Sequence, residues 1–227
     1  MLSPTVAAHA IAVYSRPGDT VCDPDCGPGT VVAEAVRARR HAIGIACDTH
    51  GWKAARAALT AAKARGAPGD GIIIDAPPDA WSWTGLGPID LLLTAIGPPA
   101  DPAGPAGDRL RARLAGYRNL SRPQGRLVVV AAYRVRGGVD LASRVAAAGR
   151  DTGWRPVQRA VALTAVPYIP ALGTARQTGW ARAYPVHQDV IVFRADGRRA
   201  REPRQPDPPQ LTPAADSRGA VADRPAA

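Results

Sequence analysis

Residues 21–30 read VCDPDCGPGT, placing an apolar strand end, two acids (Asp23 and Asp25) and two glycines (Gly27 and Gly29) within ten positions. A turn like this can hold a metal, a nucleotide, or nothing but its own bend. The flanking sequence narrows the choice. Upstream, "DTVCDP" reads as a short buried strand. Downstream, "GTVVAEAVRARR" sets Val31, Ala35 and Ala38 on one face of a helix. The turn therefore joins a first strand to a helix.

The same alternation runs through most of the chain. Ser3 followed by Pro4 predicts a helix start leading to about Tyr14. Further strands are expected at "HAIGIAC", "GIIID", "IDLLLTAI" and "GRLVVVAAY". Helices are expected at "THGWKAARAALTAAKARG", "DRLRARLAGYRNL" and "VDLASRVAAAGRDTG". Strands separated by helices imply crossovers and a mostly parallel sheet covered on both faces. Two closing strands, "PVQRAVALTAV" and "QDVIVFRA", have no helical pattern between them and predict an antiparallel edge hairpin. The expected fold is α/β: a seven-stranded, mostly parallel, doubly wound sheet with a ligand crevice at its strand ends.

The turn at 23–30 falls where such a sheet places its ligand. Gly27 and Gly29 are expected to permit positive φ and close approach to bare backbone. The N–H groups opening the next helix face the same space. Asp23 can accept hydrogen bonds or balance a cation. Phosphate is disfavoured, because the turn has no Lys and carries two acids. S-adenosylmethionine, with its sulfonium, ammonium and carboxylate, suits the turn better.

"PGDTVCDPDCGPGTVVAEAVRARRHAIGIACD" resembles the cofactor-binding stretch of the amino-methyltransferases, the group of DNA adenine-N6 and cytosine-N4 methylases and tRNA guanine-N2 type methylases. "HQDVIVFRA" at 187–195 looks like the family's closing strand, and 125–163 looks like its later strand–helix–strand segment. The resemblance covers about residues 3–196. It implies a Rossmann-like class I methyltransferase fold with S-adenosylmethionine as cofactor. Asp23, Gly27, Gly29 and Thr30 match the family's cofactor loop. Asp25 stands where the family usually has an aromatic or Met, and is expected to help hold the cofactor with the rest of the loop. The acid that ends the family's second strand and holds the ribose is here Ala46, with Asp48 two residues on as a substitute. Asp75 in "IIIDAPPD", or else Asp79, matches the acid that faces the adenine.

The family carries a second motif after the fourth strand: Asp, Asn or Ser, then two prolines, then an aromatic. It holds the target amino group and stacks on the flipped-out base. This chain has Gly97, Pro98, Pro99 and Ala100 there, so both chemical handles are missing. "IDAPPDAWSW" at 74–83 also pairs prolines with an aromatic, at a spacing unlike the family motif. The resemblance implies transfer of a methyl group to an exocyclic amine of DNA or RNA. The alternative is a methyltransferase-fold protein that binds S-adenosylmethionine or nucleic acid without transfer.

Other readings weigh less. Cys22, Cys26, Cys47 and His50 lie near two adjacent strand ends, where a structural zinc is conceivable; buried thiols acting as small core hydrophobes account for them more simply. A catalytic Cys with His41 or His187 has no local motif behind it, and no G-x-S-x-G elbow occurs. Trp81 and Trp83 could stack on a base, but they read better as caps on the sheet edge. The run "RVRGG" reads better as a solvated loop than as a phosphate contact.

The chain has 227 residues and a formal charge of +10, and its basic residues are almost all Arg. That charge fits a polyanionic partner, DNA or tRNA, and fits biased composition equally well. No run of about 20 apolar residues occurs, and the start lacks a signal-peptide pattern, so a soluble cytoplasmic protein is expected. Residues 1–196 are expected to form the methyltransferase-like domain. The Pro/Arg-rich residues 197–227 are expected to form a disordered tail.

Overall fold

A computed structural model describes residues 2–76, 86–97, 106–131, 140–163 and 187–196. The elements follow in chain order as α1 (Pro4–Tyr14), β1 (Thr20–Asp23), α2 (Thr30–Arg37), β2 (His41–Ala46), α3 (Thr49–Ala64) and β3 (Gly71–Asp75). Then come β4 (Ile89–Ile96), α4 (Ala106–Leu120), β5 (Ser121–Ala131), α5 (Leu141–Asp151), β6 (Trp154–Leu163) and β7 (His187–Ala195).

The seven strands form one sheet in the order β3-β2-β1-β4-β5-β7-β6. β1 to β5 pair in parallel, while β7 runs antiparallel between β5 and β6. The expected doubly wound sheet and edge hairpin are both present. The order reverses direction between β1 and β4, and a doubly wound sheet opens its ligand crevice at the carboxyl ends of such a pair.

Strand periodicity sorts the core into two layers. On one face, Val21, Leu91, Leu93, Val128 and Val192 pack with buried residues of α1, α2 and α3. On the other, Cys22, Leu92, Leu127, Val129 and Phe193 pack with α4 and α5, where Tyr117 and Trp154 are fully buried. The alternation within β4 and β5 arises because successive strand side chains point to opposite faces. Both faces are covered, so these strands read as continuous apolar runs.

Polar groups finish the layers. Buried Arg40 donates from Nε to Ser15 Oγ at 3.0 Å and from a terminal nitrogen to the Ser15 carbonyl at 2.9 Å, satisfying the open end of α1. The Trp154 indole N–H donates to the Leu114 carbonyl at 2.8 Å and ties α4 to β6. Among the described residues, no helix is long and apolar enough to cross a membrane.

Candidate cofactor crevice

The turn after β1 lies at the carboxyl edge of the sheet. Asp23 ends β1 in register with Gly44 of β2. Asp23 is buried at that edge, at 7% exposure. Its Oδ1 accepts the Asp25 N–H at 3.2 Å. Burial first, and the neighbouring Asp25 carboxylate second, push the Asp23 carboxyl up to about 8. The Asp25 N–H and the charge of Arg113 oppose the rise. The Cys26 N–H donates to the Ile45 carbonyl at 2.8 Å, which stitches the turn to β2.

The two glycines of the turn serve different ends. Gly27 has no positive φ, and a Cβ there would meet nothing within 4 Å. Its surroundings are open, as a cofactor lying against backbone requires. Gly29 has φ +82° and caps α2 in the left-handed region. A Cβ on it would lie 2.7 Å from the Ala55 Cα of α3. This corrects the sequence expectation in two respects. Only Gly29 uses positive φ, and its missing side chain admits the backbone of α3, not a ligand. Thr30, half-buried, opens α2, and the N–H groups of that first turn have no acceptor within the helix.

The other candidate acids stand along the same edge. Asp48 follows β2 and caps α3, with Oδ1 accepting the Gly51 N–H at 2.7 Å. Asp75 ends β3, exposed, in register with Ala46. Gly97 follows β4, and a Cβ there would meet nothing within 4 Å. Pro98, Pro99, Ala100, Asp79, Trp81 and Trp83 lie outside the described residues.

Asp25 turns away from β2 toward α4. Its carboxylate accepts from Thr94 Oγ1 of β4 at 3.1 Å and from Arg113 Nε at 3.2 Å, and it also accepts from the Tyr117 hydroxyl. A terminal nitrogen of Arg113 lies 2.6 Å away. Tyr117 is fully buried; burial and the Asp25 charge raise its hydroxyl, keeping it protonated as a donor. Sequence reasoning missed Thr94, Arg113 and Tyr117. The available signals were one hydroxyl inside the apolar β4 run and an Arg and a Tyr four apart on one helix face.

The thiols are poor nucleophiles. Burial raises Cys22, Cys26 and Cys47 alike, with nearby carboxylates adding to the effect. Among the described residues, no group of three or more His, Cys, Asp or Glu side chains is placed to hold a metal.

No family model matches the chain, and no curated protein matches it in sequence. Solved structures do match in shape. TrmN from Thermus thermophilus aligns over 86% of this chain with a TM-score of 0.56 and 19% identity. A putative rRNA-methylase from Clostridium thermocellum aligns over 86% of this chain and 97% of its own, with a TM-score of 0.57 and 13% identity. The fold is that of the Rossmann-like methyltransferases. Magnesium protoporphyrin IX methyltransferase from Synechocystis, solved with bound SAM, shares this methyltransferase fold over 85% of the present chain and 77% of its own, with a TM-score of 0.55 and 16% identity. The chain spans about half the length of TrmN, 49% of it. At these identities the likeness is one of fold, and a methyltransferase fold by itself names no substrate.

Proposed function

We propose that this chain binds S-adenosylmethionine at the turn after β1 and methylates an exocyclic amine of DNA or RNA. The observation that carries this reading is the open backbone at Gly27 directly beyond the buried Asp23 carboxyl, at the sheet's reversal point. A positive group set against Asp23 would favour its ionised form. The cofactor's ammonium and sulfonium provide such charge.

In this reading Gly27 and Thr30 line the methionine end of the cofactor. Asp48 has one carboxylate oxygen left after capping α3 and accepts a ribose hydroxyl. Asp75 faces the adenine. Asp25 acts through α4, holding that helix and the turn in one arrangement. When bound, S-adenosylmethionine supplies an electrophilic methyl on sulfur. The chain's own task is alignment, which can lower a barrier greatly when the reacting atoms are held in line. Gly97 and the two prolines after it mark the substrate edge.

A second reading has its own support. Gly97 carries no side chain where a polar group would hold the target amine, and Ala100 stands in the aromatic's place. Those substitutions favour a protein that binds the cofactor without transferring from it. Calorimetry with S-adenosylmethionine tests both readings: no heat and no thermal shift at millimolar ligand would refute both. A tritiated-methyl assay on DNA and unmodified tRNA separates them. Incorporation supports the enzyme, and binding without incorporation supports the second reading.

A further inference from the structure

The register of the sheet lines up three arginines from distant parts of the sequence. Arg126 of β5 pairs directly with Arg194 of β7, and Arg194 pairs directly with Arg155 of β6. Directly paired residues on adjacent strands project to the same face. That face is the one α1 covers, since the next same-face residues along β5 and β7, Val128 and Val192, belong to its core. All three arginines are exposed.

None of the three forms an ion pair among the described residues. The neighbouring acid on β4, Asp90, is engaged by Arg122. The row is also shaped. Arg194 donates to Gln124 Oε1 at 2.6 Å, and the Arg126 guanidinium lies 5.7 Å from the centre of the Tyr14 ring. The Tyr14 hydroxyl in turn donates to Gln158 of β6 at 2.9 Å. Like charges placed directly opposite destabilise a sheet. A row of three is therefore a cost to the free protein that a bound anion would relieve.

We propose that Arg126, Arg194 and Arg155 form a docking row for the phosphodiester backbone of a nucleic acid. Adjacent strands lie about 4.8 Å apart, so the outer arginines stand about 10 Å apart, the axial span of about three phosphates on one strand. Guanidinium suits this contact because its planar donors match phosphate oxygens. The row deepens the reading of the cofactor crevice as a nucleic-acid-modifying site and rests on it for the substrate. Arg126 shares a row with Leu91, and Gly97 lies six residues further on, just past the end of β4. That places the substrate edge about 20 Å from the arginines along the strands. Mononucleotides cannot reach both places; a strand of ten or more nucleotides can.

The test uses the full chain and fluorescein-labelled 20-nucleotide single strands of RNA and of DNA, titrated by anisotropy across salt concentrations. The R126Q/R155Q/R194Q variant is expected to weaken binding about tenfold or more at low salt and to flatten the slope of log affinity against log salt by about 2. The R126K/R155K/R194K variant should keep most of that slope. R144Q/R150Q, on exposed positions of α5, should leave it unchanged. Removing the mutual repulsion should leave the melting temperature of the glutamine variant equal or higher, so a loss of binding is not a loss of fold. An unchanged affinity and slope in the glutamine variant would overturn the proposal, as would wild-type binding to phosphatidylserine vesicles but to neither oligonucleotide. Calorimetry with S-adenosylmethionine on the same proteins keeps the two readings apart. The glutamine variant should bind the cofactor like wild type, and absence of cofactor binding in the wild type counts against the crevice alone.

Discussion

A guanidinium nitrogen of Arg113 on α4 stands 2.6 Å from a carboxylate oxygen of Asp25, 88 residues earlier in the chain. With Tyr117 and Thr94 it makes Asp25 the point at which the turn after β1, strand β4 and helix α4 meet. Breaking one partner strands a largely buried charge. Arg113→Met is expected to lower stability by about 2 kcal/mol, below the cost for a fully buried pair because the Arg side chain is 33% exposed. Tyr117→Phe should cost about 1 kcal/mol, since the other donors remain. Urea unfolding of the two variants checks the order. Equal stability in Arg113→Met and wild type would mean that the contact contributes nothing.

The two glycines of the turn should respond in opposite ways. Gly29→Ala introduces a Cβ at φ +82° and 2.7 Å from the Ala55 Cα. It is expected to lose about 2–4 kcal/mol of stability, and cofactor affinity only through that loss. Gly27→Ala meets open space, so its melting temperature should stay near wild type while S-adenosylmethionine binding weakens. Thermal melts alongside calorimetry read both effects. A Gly27→Ala protein with full affinity would remove the cofactor from that position.

Burial gives Asp23 a pH signature. Its carboxyl rises from 3.8 to about 8 in the folded protein, so between those values the folded state holds a proton that the unfolded state has lost. The stabilisation is complete below about pH 4 and falls as pH rises toward 8, by about 1.4 kcal/mol per pH unit at most. Asp23→Asn should flatten that fall. Denaturation midpoints measured from pH 5 to 8 check it, and parallel profiles for variant and wild type would contradict the assignment.

Gly97 has room for a side chain. Gly97→Asn should leave the fold intact and raise methyl incorporation into DNA or tRNA above the wild-type level, because it restores a polar group beside the target amine. Incorporation that stays flat in a correctly folded, cofactor-binding Gly97→Asn protein would favour binding without transfer.

The elements were legible because their signals are local. Each strand from β1 to β5 is an apolar run bounded by turn residues, and each helix carries its own face or cap. The edge hairpin was legible because the sequence between the last two strand patterns carries no helical pattern. The start of β5 was not: Ser121–Gln124 extend the strand ahead of Gly125, with Gln124 at φ +63° and a register shift opposite Ile89 and Leu91. No local pattern marks such an irregularity. In the crevice, Asp23, Gly27 and Thr30 could be read from motif and position, whereas the partners of Asp25 could not.

By itself, the sequence determined the α/β alternation, the placement of a glycine-opened turn at a strand's carboxyl end, and the lack of a polar group at Gly97. Tertiary structure alone decided that Gly29 makes way for α3, that Asp25 faces α4, and that Arg126, Arg194 and Arg155 share one row. The physical reason is range. Strand and helix periodicities repeat within a few residues, while a cross-strand neighbour or a helix contact depends on register between segments tens of residues apart, which packing of the whole core selects.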